Sequence, residues 1–210
     1  MMARNRRSTP LLRLVLASGS PRRRALLSQL GRPFTVEAAE VDETPRPGER
    51  PWALVRRLAA MKAVTVGERL AQPGTWTLGA DTVVAAAGDI LGKPADAAEA
   101  RAMLRLLSGR THQVYTGVAL WDYGSGQGWV RVAVAAVTFR TLSPLEIEEY
   151  VAGGEPVGKA GAYAVQGRAG AWVTALRGNV ETVIGLPLDV TQELLALAQR
   201  PHVLAVRRRG

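Results

Sequence analysis

Between Leu14 and Leu27 the chain passes from an apolar run through a turn of small residues into a basic helix start. No other segment restricts the fold as much. Leu14, Val15 and Leu16 read as a buried strand, Ser18-Gly19 as the turn, Ser20 as an N-cap and Pro21 as the first helical residue. Arg22 and Arg23 then fall in the helix's first turn, where cations oppose the helix dipole unless an anion sits nearby. Unpaired N–H groups, a serine hydroxyl and two guanidinium forks converging on one point describe a phosphate site.

Beyond this unit, strand-like and helix-like patterns alternate, which indicates an α/β architecture. The first helix should stop near Gly31, followed by a strand over Phe34–Ala38 and a proline-marked loop from Pro45 to Pro51. Leu54, Val55, Leu58, Met61 and Val66 recur at helical spacing between Trp52 and Leu70. Thr75–Ala87 is β-rich, and Asp96 opens a helix that stops at Ser108-Gly109. Val114–Tyr123 and Trp129–Phe139 flank a glycine-rich turn and form a hairpin. Ser143, Pro144 and Glu146 start another helix in capping-box style, ending at Gly153-Gly154. Short strands are expected in the glycine-rich passage to Pro187, then an amphipathic helix over Asp189–Gln199.

The length of 210 residues suits one domain, or one domain of two lobes, over 11–200, with basic tails at 1–10 and 201–210. The absence of cysteine excludes disulfides, thiolate chemistry and cysteine-held zinc or iron–sulfur sites. With two histidines, His112 and His202, any metal would be a hard cation held by carboxylates and water. The net charge of +9 lies partly in the tails. Arg22, Arg23, Lys62 and Lys93 lie inside the chain and indicate a polyanionic ligand, a nucleotide or a nucleic acid. The N-terminal apolar run of Leu11–Ala17 is short and interrupted by Arg13, so it is not read as an export signal, and a cytoplasmic protein with no membrane span is expected.

Asp81, beside the apolar Val83 and Val84, needs a cation, a metal or several N–H donors if buried. Two readings stand for it, a functional carboxylate or a structural one that caps a turn or pairs with arginine. Glu43 reads as a surface acid before a proline loop, Lys93 as a solvated turn lysine, and Lys62 as a helix lysine that snorkels. His112 reads as a structural hydrogen-bonder. Gly153–Lys159 spells the start of a Walker A loop, but Ala160 replaces the hydroxyl residue and a helix precedes it where a strand is required.

Seven motifs come in order: Leu-Ala-Ser-Gly-Ser-Pro-Arg-Arg at 16–23, Val-Asp-Glu at 41–43, Ala-Asp-Thr-Val-Val at 80–84, Leu-Gly-Lys-Pro at 91–94, Gly-Arg-Thr-His-Gln-Val-Tyr-Thr-Gly-Val at 109–118, Gly-Lys-Ala-Gly-Ala-Tyr-Ala-Val-Gln-Gly at 158–167 and Gly-Leu-Pro at 185–187. Together they resemble the Maf family of nucleoside triphosphate pyrophosphatases, over nearly everything from Leu14 to the last helix. The resemblance implies a Maf/ITPase-like mixed twisted sheet with flanking helices and two lobes around a central cleft. It also implies a homodimer and hydrolysis of a nucleoside triphosphate to the monophosphate and pyrophosphate, with Mg²⁺ or Mn²⁺.

By position, Asp81 matches the family's general base, and Ser18, Arg22, Arg23, Lys62 and Lys93 match its phosphate-binding residues. Glu43, with Asp81, matches the metal-site acids. Arg22, Thr82 and Gln166 match the positions that separate substrate branches, and this set looks like the dTTP/UTP branch. Two departures stand out: Gly158, where many members carry an acid, and a looser Trp172–Arg177 segment. The rival function is a nucleic-acid-binding regulator acting through the basic surface. It lacks the aromatic-interleaved basic stripe that such proteins use. Normal and modified nucleotides are not distinguished by these residues.

Overall fold

The computed structural model describes residues 13–199. The basic tails and His202 lie outside the described residues. Seven strands form one mixed sheet: β1 (Arg13–Leu16), β2 (Phe34–Val36), β3 (Thr75–Ala86), β4 (Asp89–Leu91), β5 (Thr111–Asp122), β6 (Gln127–Phe139) and β7 (Val173–Arg177). Their order is β2-β1-β3-β5-β6-β7, with β4 hairpinned onto β3. β1 is parallel to both β2 and β3, and the other pairings are antiparallel. The helices are α1 (Pro21–Ser28), α2 (Pro51–Leu70), α3 (Ala97–Leu107), α4 (Pro144–Ala152), α5 (Val180–Ile184) and α6 (Leu188–Ala198).

Local chemistry sets most element ends as expected. Ser20 caps α1 by accepting from the Arg23 N–H, and Asp96 caps α3 by accepting from the Glu99 N–H. Ser143 and Glu146 close a reciprocal capping box on α4. The passage to Pro187 differs from the expected series of short strands. It holds two 3-10 turns (Ala160–Ala162 and Arg168–Trp172), the single strand β7 and the helix α5, which Asn179 caps. Several of its glycines, among them Gly158, Gly161 and Gly178, take positive φ and bend the chain out of a sheet.

β3 runs through two separate cores. Trp76, Leu78 and Ala80 pack with Leu26 and Leu27 of α1 and Leu194 and Leu195 of α6. Val84 and Ala86 pack with Met103, Leu104 and Leu107 of α3 and Ile147 and Tyr150 of α4. This is the physical basis of the two lobes. On the opposite sheet face α2 lies unusually close to the strands, because Gly79 and Gly117 have no side chain to hold it off. A Cβ at Gly79 would sit 2.2 Å from the Ala59 carbonyl oxygen, and one at Gly117 would sit 2.3 Å from that of Val55.

The sheet also carries a gap. β1 pairs with β3 only as far as Leu78, and β4 joins β3 only from Val84. On that edge residues 79–83 of β3 have no strand beside them, although they remain paired with β5 on the other edge. The open edge lies beyond the carboxyl end of β1, the position where open α/β sheets bind ligands.

Candidate active site

A cleft of about 880 Å³ opens at this gap. It is lined by the turn after β1, the start of α1, the loop around Glu43, one face of α2, the middle of β3, the Lys93 turn and the segment 157–166. The cleft brings together all the residues singled out from the sequence for binding or catalysis: Ser18, Arg22, Arg23, Glu43, Lys62, Asp81, Thr82, Lys93 and Gln166.

Successive residues of a strand face opposite ways, and here that separates two sets of contacts. Asp81 faces α2, and Thr82 faces α1 and α5. Asp81 and Lys62 are each 6% exposed, and the Lys62 Nζ donates to Asp81 Oδ1 at 2.6 Å. The same ammonium lies 2.7 Å from Glu43 Oε1, while Lys93 Nζ donates to Glu43 Oε2 at 2.6 Å. The result is an alternating chain of four charges, Asp81–Lys62–Glu43–Lys93. Burial alone would raise the Glu43 pKa, but the hydrogen bonds from Lys62 and Lys93 outweigh it and hold the carboxyl at about 2.

This geometry revises three sequence expectations. Lys62 does not snorkel: it stands on the buried face of α2 with Leu58, Ala59 and Val66 and is neutralised by two carboxylates. Glu43 is not a free surface acid but the link between two lysines. Lys93, though its side chain is 56% exposed, is likewise paired.

On the other side of β3, Arg23 is gripped by three acceptors. Its Nε donates to the Gly185 carbonyl at 2.9 Å, its Nη2 to Thr82 Oγ1 at 3.1 Å and its Nη1 to Ser18 Oγ at 3.4 Å. Ser18 also accepts from the Ser20 N–H. Burial lowers the Arg23 pKa from its usual value, with Asp81 pulling the other way. Three acceptors leave two of the five guanidinium N–H donors for a ligand.

Arg22 and Lys159 also line the cleft, and neither has a carboxylate partner within salt-bridge distance among the described residues. Burial and the neighbouring Arg22 lower the Lys159 pKa. In the sequence Lys159 belongs to the 158–167 motif and to the Walker A-like stretch, neither of which gives it a role of its own. Structurally that loop follows a helix, and Lys159 Nζ donates to the Glu155 carbonyl. Gln166 is exposed on the loop between the 3-10 turns, facing the cleft. His112 is structural, as expected: it is buried, its Nε2 shares a hydrogen bond with the Tyr163 hydroxyl at 2.8 Å, and burial lowers its pKa to about 4.

The family described as Maf-like protein matches residues 13–198, which is almost the whole described chain. The chain belongs to the Maf family. Among curated relatives, the dTTP/UTP pyrophosphatase of Myxococcus xanthus is 54% identical over 188 residues, covering 90% of this chain and 93% of that protein. The proteins of the same name from Moorella thermoacetica and Yersinia pestis are 50% and 49% identical, each covering 94% of its own length and 88% and 89% of this chain. In this Maf-family chain six of the seven motifs contribute residues to one cleft, and the seventh, Gly185-Leu186-Pro187, reaches it through the Gly185 carbonyl that accepts from Arg23.

Proposed function

We propose that this Maf-family protein is a nucleoside triphosphate pyrophosphatase that hydrolyses dTTP and UTP to the monophosphate and pyrophosphate. The observation that carries the reading is the convergence of Arg23 and Asp81 on adjacent β3 positions of one cleft, Arg23 through Thr82. Relatives of about 50% identity bearing the name dTTP/UTP pyrophosphatase support the substrate class.

In this reading Ser18, Arg22, Arg23, Lys62 and Lys93 hold the phosphates. Water attacks the α-phosphorus in line, the α–β anhydride bond breaks, and the pyrophosphate leaves with its bonding electron pair. Arg23, Lys62 and Lys93 neutralise the charge that builds on the leaving group, a contribution that is usually the largest in such reactions. Asp81 orients the water and takes its proton, worth about 10²–10⁴-fold. Gln166 offers both a donor and an acceptor to a pyrimidine edge, and Arg22 and Thr82 complete the specificity set.

A divalent cation fits the donors present. Glu43 and Asp81 are hard oxygen donors that already converge on one cationic group, the Lys62 ammonium. No group of three or more His, Cys, Asp or Glu suited to a metal occurs among the described residues. Two carboxylates completed by substrate phosphates and water suit Mg²⁺ or Mn²⁺. Such an ion supplies charge neutralisation at the phosphates and a more acidic water.

No described helix is long and apolar enough to cross a membrane. A cytoplasmic homodimer belongs to the same reading, and family membership supports it. The test is incubation with dTTP or UTP and Mg²⁺ or Mn²⁺, with products separated by ion exchange. Monophosphate with pyrophosphate supports the reading, whereas release of single phosphate overturns it.

A further inference from the structure

We propose that Thr116, a buried β5 residue that does not line the cleft, is a positioning residue for Arg23 and acts through Thr82. Thr116 stands directly across from Thr82 in the β3–β5 register, with 0% exposure. Its Oγ1 lies 2.9 Å from Thr82 Oγ1 and 2.7 Å from the Thr182 carbonyl oxygen in the middle of α5.

The direction of every proton in this chain follows from its two ends. Arg23 only donates, and a carbonyl only accepts. The single Thr116 proton therefore goes to Thr182, so the Thr82 proton goes to Thr116. This leaves a Thr82 lone pair turned to Arg23 Nη2. The loop closes because Arg23 Nε donates to Gly185, which follows α5 directly. α5 thus holds the guanidinium twice, once through the Gly185 carbonyl and once through two threonines.

The exposed Thr111–Thr138 pair, at 2.8 Å across β5 and β6, shows what a cross-strand threonine contact is like when it ends on nothing. The Thr82–Thr116 pair differs in that Thr116 is fully buried and in ending on a carbonyl and on a cation of the cleft. Without the Thr116 hydroxyl nothing fixes the rotor of the Thr82 hydroxyl, and the acceptor that aims Nη2 is no longer held in place.

This inference rests on the proposed role of Arg23, and the experiment separates the two. In steady-state dTTP hydrolysis by the full chain with Mg²⁺, Thr116→Val is expected to lower kcat and kcat/KM together by roughly tenfold, the size of one hydrogen bond to a charged group. Thr116→Ser, which keeps the hydroxyl, should restore most of the rate. Thr82→Val combined with Thr116→Val should be no slower than Thr82→Val alone, since both act through one path. Thr116→Cys serves the same purpose should the valine variant fail to fold, because a thiol is a poor donor of similar size. Wild-type kcat in Thr116→Val or Thr116→Cys, measured well below the melting temperature, overturns the proposal, as does full additivity in the double variant. An Arg23→Lys variant with unchanged turnover would instead remove Arg23 from the function proposed above.

Discussion

Lys62 and Asp81 form a buried ion pair of 2.6 Å, and neither residue is more than 6% exposed. Burying two charges is costly unless each is well partnered, and here Glu43 supplies a second carboxylate to the same ammonium. The close approach of α2 to β3 is what makes the pair possible.

Asp81→Asn keeps shape and removes one charge of this pair. Lys62 retains Glu43, so the fold should survive with a loss of no more than about 3 kcal/mol. Pyrophosphate release should fall by about 10²–10⁴-fold. Thermal melting followed by circular dichroism, beside a product assay, checks both; near-normal turnover would take Asp81 out of the mechanism.

Gly79→Ala tests the helix–sheet approach. The added methyl meets the Ala59 carbonyl and the Ala63 backbone nitrogen, 2.2 and 2.7 Å away, neither of which can swing aside. Destabilisation of about 1–3 kcal/mol by urea unfolding is expected, with activity lost as Lys62 is carried away from Asp81. Unchanged stability would mean that α2 is held less tightly than these distances imply.

The Arg22 guanidinium has no hydrogen bond or ion pair to protein among the described residues, in contrast to that of Arg23 with its three. Arg22→Ala should therefore leave the melting temperature almost unchanged. It should raise KM for dTTP by about 10–100-fold, the worth of a charge-assisted bond to phosphate. A large drop in melting temperature with unchanged KM would contradict a ligand-facing role.

Burial lowers the His112 pKa from 6.5 to about 4, so the folded protein resists a proton that the unfolded chain accepts. Between pH 6.5 and 4 the unfolded state binds more protons, and stability should fall as pH drops through that window, by up to about 3 kcal/mol. His112→Gln, which can still reach the Tyr163 hydroxyl, should flatten that part of the stability–pH curve. Parallel slopes for both proteins would show that His112 is not the group responsible.

Glu43 acts in the same direction over a more acidic window. Its pKa is held at about 2, below the ordinary 4.5, so its pairing contributes fully above pH 4.5 and is lost as pH falls towards 2. The difference in melting temperature between wild type and Glu43→Gln should be constant above that range and shrink below it. With the side chain 40% exposed, the effect is expected to be modest.

What the sequence by itself determined is local. The strand–turn–helix at Leu14–Ser28, the Ser143–Glu146 capping box and the β5–β6 hairpin were legible because caps and turns depend on residues a few positions apart. The motifs also named the cleft residues in advance. Tertiary structure alone decided how those residues meet. Lys62 finds Asp81 across 19 positions, and Arg23 finds Gly185 across 162. Helical periodicity shows that Lys62 lies on an apolar face, but not that two carboxylates await it there. Thr116 and Lys159 fall inside two of the seven motifs, but nothing local gives them a partner, since a threonine in a strand and a lysine in a glycine-rich loop are ordinary. The segment from Glu155 to Pro187 went against expectation for the same reason. Gly158, Gly161, Gly178 and Gly185 take positive φ there, and at Gly161 the reason lies in β3, where an added Cβ would sit 2.7 Å from Val84.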